Sequence, residues 1–362
     1  MTNNLRGIRK GLCAFAKKCK GFKYTDSALI TFLITGATGL IGKTLIRFLL
    51  AWNAKAKQKL KIIALVRDLK KLKACFGEEV DGLEYLVGDV RTVDLSNLHV
   101  DYIIHAASQT SSKGFIESPI DTLSVAIDGT KNLLEFARKS KLKKFIYLST
   151  MEVYGYPQSD EKIFETSGTN IDTMDVRSCY PESKRLCENL CVAYSREYDL
   201  PINILRLTQT FGPGVEYNDG RIFAEFARCV LENKDICLKT KGLTKRSYLH
   251  VYDALTAIFQ VLYLADSGNV YNVANEATYC SIYDMAVFVS RKISKQRIKV
   301  IITEEENKYG YAPTLCMNLD TSKLKQLGWK PLYDLEDMFN MMILDLQDNQ
   351  KENNNGTKKY QF

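Results

Sequence analysis

Tyr180 and Lys184 have the residue types and the spacing of a proton-transfer pair. The periodicity of the segment predicts a helix running toward Glu197, and residues four apart lie on one face of a helix. A free phenol, with a pKa of about 10, is a poor base at neutral pH. A nearby ammonium group stabilises the phenolate, so we expect Lys184 to lower the pKa of Tyr180. Thr150, at the predicted end of an earlier strand, would hold its hydroxyl near the same reacting group.

A glycine-rich turn near the start of the chain predicts a cofactor for this chemistry. An apolar run ends in three glycines at intervals of three, Gly36, Gly39 and Gly42, and a helical periodicity follows. Glycines let a phosphate approach the backbone, and the N–H groups of the new helix face a diphosphate. The next residue, Lys43, suggests a triphosphate-binding loop, but Ala37 occupies the position where that loop needs a glycine. We therefore predict a dinucleotide site.

The order of the elements predicts a parallel sheet. Strands alternate with helices over residues 30–210, which is typical of βαβ units in a Rossmann-type, doubly wound α/β fold. Further strands are predicted at 61–68, 83–87, 100–104 and 143–148, and a long helix at 120–140. Because open parallel sheets bind ligands at the carboxyl ends of their strands, the glycine turn and Thr150 are expected at the same edge.

The strand ends also predict the contacts of the cofactor. The second strand ends at Arg67 and Asp68, where such folds contact the adenosine ribose. A guanidinium suits the 2′-phosphate of NADP and a carboxylate suits the 2′-hydroxyl of NAD, so we favour NADP and keep NAD, or a plain surface ion pair, as alternatives. Asp89 either accepts from the adenine amino group or caps its turn. We interpret His105 as positional rather than as a proton donor.

Composition narrows the possible classes of protein. The formal net charge of +8 is concentrated near the start of the chain. The residues responsible there are Arg6, Arg9, Lys10, Lys17, Lys18, Lys20 and Lys23. We interpret this segment as a solvated extension, with a basic arm that binds anionic lipid or nucleic acid as the alternative. Ten scattered cysteines without a C-x-x-C pair, and three histidines, argue against zinc and fit a reduced, cytoplasmic protein.

No apolar run has the length of a membrane-spanning helix or of a signal-peptide core. We therefore expect no stable membrane insertion. We also expect no nucleic-acid partner and no bound metal.

These residues together resemble the extended short-chain dehydrogenase/reductase family, in particular its nucleotide-sugar epimerases, dehydratases and UDP-glucuronate decarboxylases. The resemblance covers roughly residues 30–335. It rests on motifs at 35–42, 88–90, 105–108, 129–130, 149–155, 180–184, 206 with 211–213, and 246–253. The segments 177–180 and 219–221 resemble the decarboxylase branch.

The resemblance implies roles for the reacting groups. Tyr180 would transfer the proton, with Lys184 as its electrostatic partner and ribose anchor. Thr150 would bind the sugar hydroxyl that is oxidised. Glu152 stands where dehydratases and decarboxylases carry an acidic residue, and would move a proton at the neighbouring carbon.

The resemblance also implies which residues hold the ligands. Residues expected to bind the dinucleotide are Gly36, Thr38, Gly39, Leu40, Ile41, Gly42, Arg67, Asp89, Val90, Ala106, Ala107, Ser108, Tyr180 and Lys184. Residues expected to bind a nucleotide-diphosphate sugar are Thr150, Gln209, Arg221 and Arg246. Ala126 and Gln209 replace asparagines that relatives usually carry, so no particular substrate is implied.

The predicted organisation has four parts. Residues 1–29 form a basic N-terminal extension, and 30–211 with 244–278 form the dinucleotide-binding Rossmann domain. Residues 212–243 with 279–345 form a smaller C-terminal α/β substrate domain, and 346–362 form a polar tail. The resemblance implies a homodimer, since relatives commonly pair through the two helices predicted here at 120–140 and 180–197. Residues that could form such a seam, or could equally belong to the core, are Ala126, Leu133, Leu134, Leu186, Leu190 and Ala193.

We thus expect an NAD(P)-dependent nucleotide-sugar epimerase or dehydratase that oxidises a sugar hydroxyl transiently, in the setting of polysaccharide biosynthesis. One alternative is an NADPH-dependent reductase of a nucleotide-linked keto sugar or a sugar-alcohol precursor. Another is a non-catalytic, dinucleotide-binding regulatory protein, against which the intact set of Thr150, Tyr180 and Lys184 argues.

Overall fold

The centre of the structure, a computed structural model, is a sheet of seven parallel strands; the structure describes residues 29–55, 59–303 and 314–354. In spatial order the strands are β10 (Asn269–Val273), β6 (Ile202–Leu207), β5 (Lys144–Thr150), β4 (Tyr102–His105), β1 (Ile30–Thr35), β2 (Leu60–Val66) and β3 (Leu83–Val87). Each strand is parallel to its neighbours. The predicted doubly wound, Rossmann-type sheet is confirmed.

The apolar character of the strands follows from helices covering both faces of the sheet. All six residues of β1 are buried. Phe32 and Ile34 belong to the hydrophobic core on one face, and Leu33 belongs to the core on the other. This alternation is the period of two expected for a strand with a core on each side.

The helices are α1 (Leu40–Asn53), α2 (Leu69–Phe76), α3 (Ser112–Glu117), α4 (Pro119–Lys139), α5 (Cys179–Tyr198), α6 (Ile222–Glu232), α7 (Val251–Leu264), α8 (Ile282–Phe288), α9 (Ser322–Gln326) and α10 (Leu335–Asn354). Apart from α3, whose buried Phe115 stacks on Tyr180, these helices contribute to the two cores. The apolar sides of α1 and α7 lie in one core, and those of α4 and α5 lie in the other. Because α5 follows β5 and packs beside α4, it presents Tyr180 and Lys184 near the end of β5.

A smaller sheet stands above the carboxyl edge of the large one. It consists of β7 (Gln209–Phe211), β9 (Lys245–His250), β11 (Asn275–Ser281) and β13 (Cys316–Met317), while β8 (Ile236–Leu238) pairs with β12 (Val300–Ile302). β9 is antiparallel to β11 and parallel to β7 and β13. Residues 244–278 were predicted to belong to the Rossmann domain. In this segment β10 is a strand of the large sheet and α7 packs on that sheet, whereas β9 is a strand of the small sheet.

The C-terminal segment is a structural part of this core. Trp329 is buried, and its indole N–H donates to Thr256 Oγ1 at 3.0 Å. The buried carboxylate of Asp253, on α7, accepts from the backbone N–H groups of Leu332 and Tyr333. These contacts fix the chain just before α10.

The predicted polar tail, 346–362, starts too early. α10 continues to Asn354, because its apolar side, which includes the buried Phe339 and Leu346, packs on the core. The remainder of the tail lies outside the described residues, as do the basic residues before residue 24.

The residues considered for a dimer seam are not all on the surface. Ala126, Leu133 and Leu134 face inward from α4 and are buried in the core of a single chain. By contrast, Leu186 and Ala193 are exposed on α5. The sequence periodicity did not show which face of each helix would be buried. In the structure the three α4 residues lie on the face that packs against the large sheet.

Across the described residues, no helix combines the length and the apolar character needed to cross a membrane.

Candidate active site

A large cleft opens where the carboxyl ends of the parallel strands meet the small sheet, and its volume is about 1440 Å³. Every residue predicted to bind cofactor or substrate lines it. These residues are Gly36, Thr38, Gly39, Leu40, Ile41, Gly42, Arg67, Asp89, Val90, Ala106, Ala107, Ser108, Thr150, Glu152, Tyr180, Lys184, Gln209, Arg221 and Arg246. Residues far apart in the chain are thus brought to one space, as the sheet-edge argument requires.

The three glycines of the first turn serve different purposes. Gly36 has a φ of +65°, and an added Cβ would lie 2.7 Å from the backbone carbonyl of Ala106. A Cβ on Gly42 would lie 2.3 Å from the carbonyl oxygen of Gly36. Both glycines are therefore required by the protein's own backbone. Only Gly39, whose Cβ would be 3.3 Å from that oxygen, is left to admit a ligand.

This turn fits the diphosphate of a dinucleotide. α1 begins at Leu40 with Gly39 before it, so no side chain caps the helix, and no acidic residue stands in its first turn. Its free N–H groups and positive dipole end therefore face the cleft without a competing carboxylate. Lys43 points elsewhere and pairs with Glu216 at 2.9 Å, which agrees with the exclusion of a triphosphate loop.

His105 supports the turn from below. Its Nδ1 lies 2.7 Å from Thr35 Oγ1, and its Nε2 lies 3.1 Å from Thr130 Oγ1. The same Thr35 oxygen accepts from the backbone N–H groups of Ala106 and Ala107. Burial lowers the pKa of His105 to about 3, so the ring is neutral and holds the backbone in place. This is the positional role expected from the sequence.

The end of β2 is more basic than the sequence indicated. Asp68 Oδ1 caps α2 by accepting from the backbone N–H of Lys71 at 3.0 Å. Arg67 and Lys71 are exposed and line the cleft, and no ion-pair partner reaches either of them within the described part of the chain. Lys71 was missed, although its spacing of four from Arg67 was a usable signal.

Asp89 is already engaged by a neighbouring residue. Arg91 donates from Nε to Asp89 Oδ1 at 2.9 Å and from Nη2 to Oδ2 at 2.6 Å. Mainly through this hydrogen-bonded pair, the pKa of Asp89 falls to about 2. Arg91 also binds Asp121 at 2.9 Å. Asp89 thus stabilises its turn, which was one of the two expected roles, while still lining the cleft.

The reacting groups come from two neighbouring elements. β5 ends at Thr150, and a 3₁₀ turn (Met151–Tyr154) follows that carries Glu152. The backbone N–H of Glu152 donates to Thr150 Oγ1 at 3.2 Å, which orients the Thr150 side chain on this turn. Tyr180, in the first turn of α5, lines the same cleft beside Thr150.

Lys184 is not among the main groups that set the pKa of Tyr180 in this structure. Burial raises the pKa of the Tyr180 phenol, and the negative charge of Glu152 raises it further. A hydrogen bond with Thr150 and the guanidinium groups of Arg177 and Arg221 oppose this increase. The physical cause is exclusion of water, since the ring of Phe115 stacks on that of Tyr180 at a centroid distance of 4.3 Å.

Lys184 points toward the sheet instead. Its Nζ donates to the backbone carbonyl of Leu148 at 2.8 Å and lies 4.8 Å from the centre of the Tyr147 ring. Burial lowers the pKa of Lys184 to about 8. Lys184 therefore gives up its proton more easily than an exposed lysine, and it lines the cleft.

The opposite end of the cleft has polar atoms with no partner. Gln209 Oε1 and Arg246 Nε are both buried and make no hydrogen bond within the described residues. β7 and β9 pair Gln209 with Tyr248, two residues from Arg246, so both side chains lie on one side of the small sheet. Unpaired buried polar groups are costly and indicate a missing ligand.

Arg221, by contrast, is bound by Asp219 through Nε and Nη2, so Nη1 is the part left for a ligand.

A buried polar network behind the catalytic turn was not found from the sequence. Ser149 Oγ donates to Glu188 Oε1 at 2.5 Å, and Arg206 binds the same carboxylate through Nε and Nη2. Arg206 Nη1 also donates to Tyr154 OH at 2.8 Å. The network ties β5, α5 and the 3₁₀ turn together. No run of residues encodes it, because its members meet only after the sheet forms.

Comparison with known proteins now decides the family. The profile of the NAD dependent epimerase/dehydratase family matches residues 32–274 of this chain. The chain belongs to that family. The resemblance to extended short-chain dehydrogenases/reductases and the predicted class of enzyme are thereby confirmed.

In the residues that the structure describes, no group of three or more histidine, cysteine or acidic side chains is arranged to hold a metal.

Members of the family are similar to this chain in sequence and fold. UDP-glucuronic acid decarboxylase 3 of Arabidopsis thaliana is 28% identical over 317 residues, which is 87% of this chain and 88% of that protein. UDP-glucose 4-epimerase of Thermotoga maritima, solved with UDP-glucose, superposes with a TM-score of 0.75 at 20% identity, covering 89% of this chain and 100% of that one. UDP-glucuronic acid 4-epimerase of Bacillus cereus, solved with UDP-glucuronic acid and NAD, gives 0.74 at 22% identity, with coverages of 88% and 100%.

Proposed function

We propose that this member of the family acts on a nucleotide-diphosphate sugar by oxidising one sugar hydroxyl and later reducing the carbon again. The observation that carries the proposal is the cleft itself. Thr150, Glu152 and Tyr180 stand between an uncapped helix start that suits a diphosphate and two unpaired buried polar atoms, on Gln209 and Arg246. A nucleotide sugar and a dinucleotide together match these two ends.

The side chains divide the chemistry between them. Thr150 binds the sugar hydroxyl, and Tyr180 receives its proton when the carbon is oxidised. A bound nicotinamide supplies the hydride acceptor and, later, the hydride donor. The ketone acidifies the adjacent carbon, where Glu152 removes or returns a proton, as dehydration or epimerisation at that adjacent carbon requires. If that carbon bears a carboxylate, its bond to the carboxylate breaks instead, carbon dioxide leaves, and the electron pair passes into the enolate, which is then protonated.

UDP-glucuronic acid is the first substrate to test, because the curated relatives are UDP-glucuronic acid decarboxylases. UDP-glucose is the matched sugar without a carboxylate. We expect NMR to detect a new nucleotide sugar from at least one of them. Tyr180→Phe should reduce turnover by about 100-fold or more while the protein still binds the cofactor. Tyr198→Phe, on the exposed end of the same helix, is the control and should leave turnover unchanged. Wild-type turnover in Tyr180→Phe would exclude the proposed role.

The cofactor that we propose is NADP rather than NAD. Arg67 and Lys71 flank the end of β2, while the nearby carboxylates are committed: Asp68 to the cap of α2 and Asp89 to Arg91. Two cations without an ion-pair partner in the described chain suit a dianionic 2′-phosphate. We expect fluorescence titration to give tighter binding of NADPH than of NADH.

The two cations can be tested without measuring turnover. Alanine at both Arg67 and Lys71 should remove the preference for NADPH and leave NADH binding nearly unchanged. Lys70→Ala, on the same helix but outside the cleft lining, is the control. Equal affinity of the wild-type protein for both cofactors would contradict this assignment.

The basic end of β2 also keeps a reductase of a nucleotide-linked keto sugar as the second candidate, since net reduction consumes NADPH. Product formation without added NADPH, by protein carrying oxidised cofactor, would exclude that candidate. A non-catalytic role requires that the protein converts no nucleotide sugar, either with or without added NADPH.

We further propose a cytoplasmic homodimer. Leu186, Val192 and Ala193 are exposed on α5, and Ile120 is exposed on α4. Leu186→Glu should produce monomers in light scattering if these helices form the interface. The cysteines in the described ranges are all unpaired, which supports a reducing compartment.

A further inference from the structure

Arg177 is a cleft residue to which the sequence assigned no role of its own. It lies in a 3₁₀ turn (Val176–Ser178) that leads directly into α5. Asp175 Oδ1 accepts from its backbone N–H at 2.9 Å, which caps this turn. The position of the Arg177 side chain is therefore fixed relative to Tyr180, three residues later in the chain.

The side chain of Arg177 reaches back to the catalytic turn. Its Nη1 donates to Glu152 Oε2 at 3.0 Å and to Tyr156 OH at 3.3 Å. The side chains of Arg177 and Glu152 are only 11% and 23% exposed. The pair of Arg185 and Glu182 nearby is much more open, at 40% and 36%. Shielding from water makes the first pair stronger and better ordered than the second.

Arg177 also contacts the ring that covers the phenol. Its guanidinium carbon lies 5.7 Å from the centre of the Phe115 ring, on which Tyr180 stacks. Lys184 is directed to the Leu148 carbonyl, so Arg177 is the cation that pairs with Glu152. Arg177 thus contacts both the carboxylate of Glu152 and the Phe115 ring that covers Tyr180.

The two oxygens of Glu152 are in different situations. Oε2 accepts from Arg177, whereas no hydrogen bond reaches Oε1 within the described residues. With Oε2 held, rotation of the carboxylate is restricted, and Oε1 is the oxygen available to a substrate in the cleft. A proton acceptor fixed in this way gains from orientation as well as from its basicity.

We propose that Arg177 is a positioning residue that holds Glu152 by Oε2 so that Oε1 transfers the proton at the carbon next to the oxidised one. This inference rests on the proposed function. It assigns Arg177 to the second stage of the reaction only, since Thr150 and Tyr180 carry out the first. Loss of Arg177 therefore affects the two stages unequally.

The test is Arg177→Met, which keeps the length of the side chain but removes the charge and the donors. With UDP-glucuronic acid and oxidised cofactor, we expect oxidation of the sugar at a rate near that of the wild type. Turnover should fall by about 100-fold, because a proton-transfer group that is poorly placed loses most of its effect. Reduced nicotinamide should consequently accumulate and be visible in its absorbance band. KM should change little.

Arg177→Lys retains a cation but cannot bind Glu152 and Tyr156 in the same way. We expect it to recover part of the lost turnover and to accumulate less reduced nicotinamide. Arg138→Met, which breaks an exposed pair with Glu135 on α4 and lies outside the cleft lining, should behave as the wild type. If Arg177→Met does not fold, the lysine variant carries the test.

Equal slowing of oxidation and turnover, or wild-type turnover in Arg177→Met, would overturn the inference. So would a lower melting temperature without accumulation of reduced nicotinamide, which would indicate a structural role alone. These results are distinguishable from failure of the proposed function. That failure would appear as full activity of Tyr180→Phe, or as no conversion of nucleotide sugars by the wild-type protein.

Discussion

Alanine at Gly42 and at Gly39 should have opposite consequences, although both glycines belong to one motif. The structure gives Gly42 to the packing of the turn, because its Cβ would lie 2.3 Å from Gly36 O and 2.9 Å from Gly36 C. Gly39 has a φ of −74°, which alanine adopts freely, and its Cβ would meet only Gly36 O, at 3.3 Å. We expect Gly42→Ala to destabilise the fold and Gly39→Ala to weaken dinucleotide binding.

The size of each effect follows from these contacts. Overpacking costs about 1–3 kcal/mol, and a contact with backbone this short belongs at the upper end of that range. Alanine recovers roughly 0.8 kcal/mol through its better helix propensity. The net loss for Gly42→Ala is then about 2 kcal/mol, or about 3 °C in melting temperature for a chain of this length. Gly39→Ala should change the unfolding free energy by less than about 0.5 kcal/mol.

The assays are thermal unfolding without cofactor and titration with reduced dinucleotide. Gly39→Ala should bind at least about tenfold more weakly, because its methyl group occupies the space in front of the free N–H groups of α1. A Gly42→Ala protein with wild-type melting temperature would refute the packing argument. A Gly39→Ala protein with wild-type affinity would refute the assignment of the diphosphate to this turn.

Three further changes test the supports of the fold. Thr35→Val leaves the N–H groups of Ala106 and Ala107 unpaired and should cost about 3 kcal/mol in denaturant unfolding, whereas Thr35→Ser should be near wild type. Trp329→Ala should cost about 3–5 kcal/mol, measured in the same way, since the side chain is 1% exposed. Burial raises the pKa of Asp253 to about 7, so this group stabilises the fold at low pH and loses that contribution as pH rises through 7. Asp253→Asn should remove this dependence of the unfolding free energy on pH. The unfolding free energy of the variant should therefore improve relative to that of the wild type between pH 5 and pH 8. A difference that stays the same across this range would contradict a raised pKa of Asp253.

The large sheet could be predicted because its strands carry their own signal. Leu83–Val87 was predicted with its observed bounds, and the strands predicted at 61–68, 100–104 and 143–148 differ by one or two residues at their ends. Strands covered on both faces are nearly continuous in apolar residues, which distinguishes them from the helices between them. The small sheet lacks this signal, because β7, β8, β12 and β13 have three residues or fewer and depend on pairing with distant segments.

The positions of the site residues could be predicted more fully than their interactions. Strand ends determine which backbone positions meet at the cleft, so Thr150 could be assigned to it from the strand pattern, whereas Arg246 was assigned through the family resemblance. The direction of a long side chain depends on neighbours from other elements. Lys184, Arg221 and Arg177 therefore required the structure, since each is bound by a group that sequence spacing does not identify.

The relation between Tyr180 and Lys184 shows why this distinction matters for mechanism. Their spacing of four places both on one face of α5, but Lys184 donates to Leu148 O and Phe115 covers the phenol. In the absence of ligands the protein therefore stabilises the neutral phenol, and the charge needed to ionise it must arrive with the ligands. A Phe115→Ala variant separates these contributions: opening the phenol to water should lower its pKa toward the ordinary value, measurable by ultraviolet titration of the cofactor-free protein. A lysine that already dominated the phenol would leave that titration unchanged.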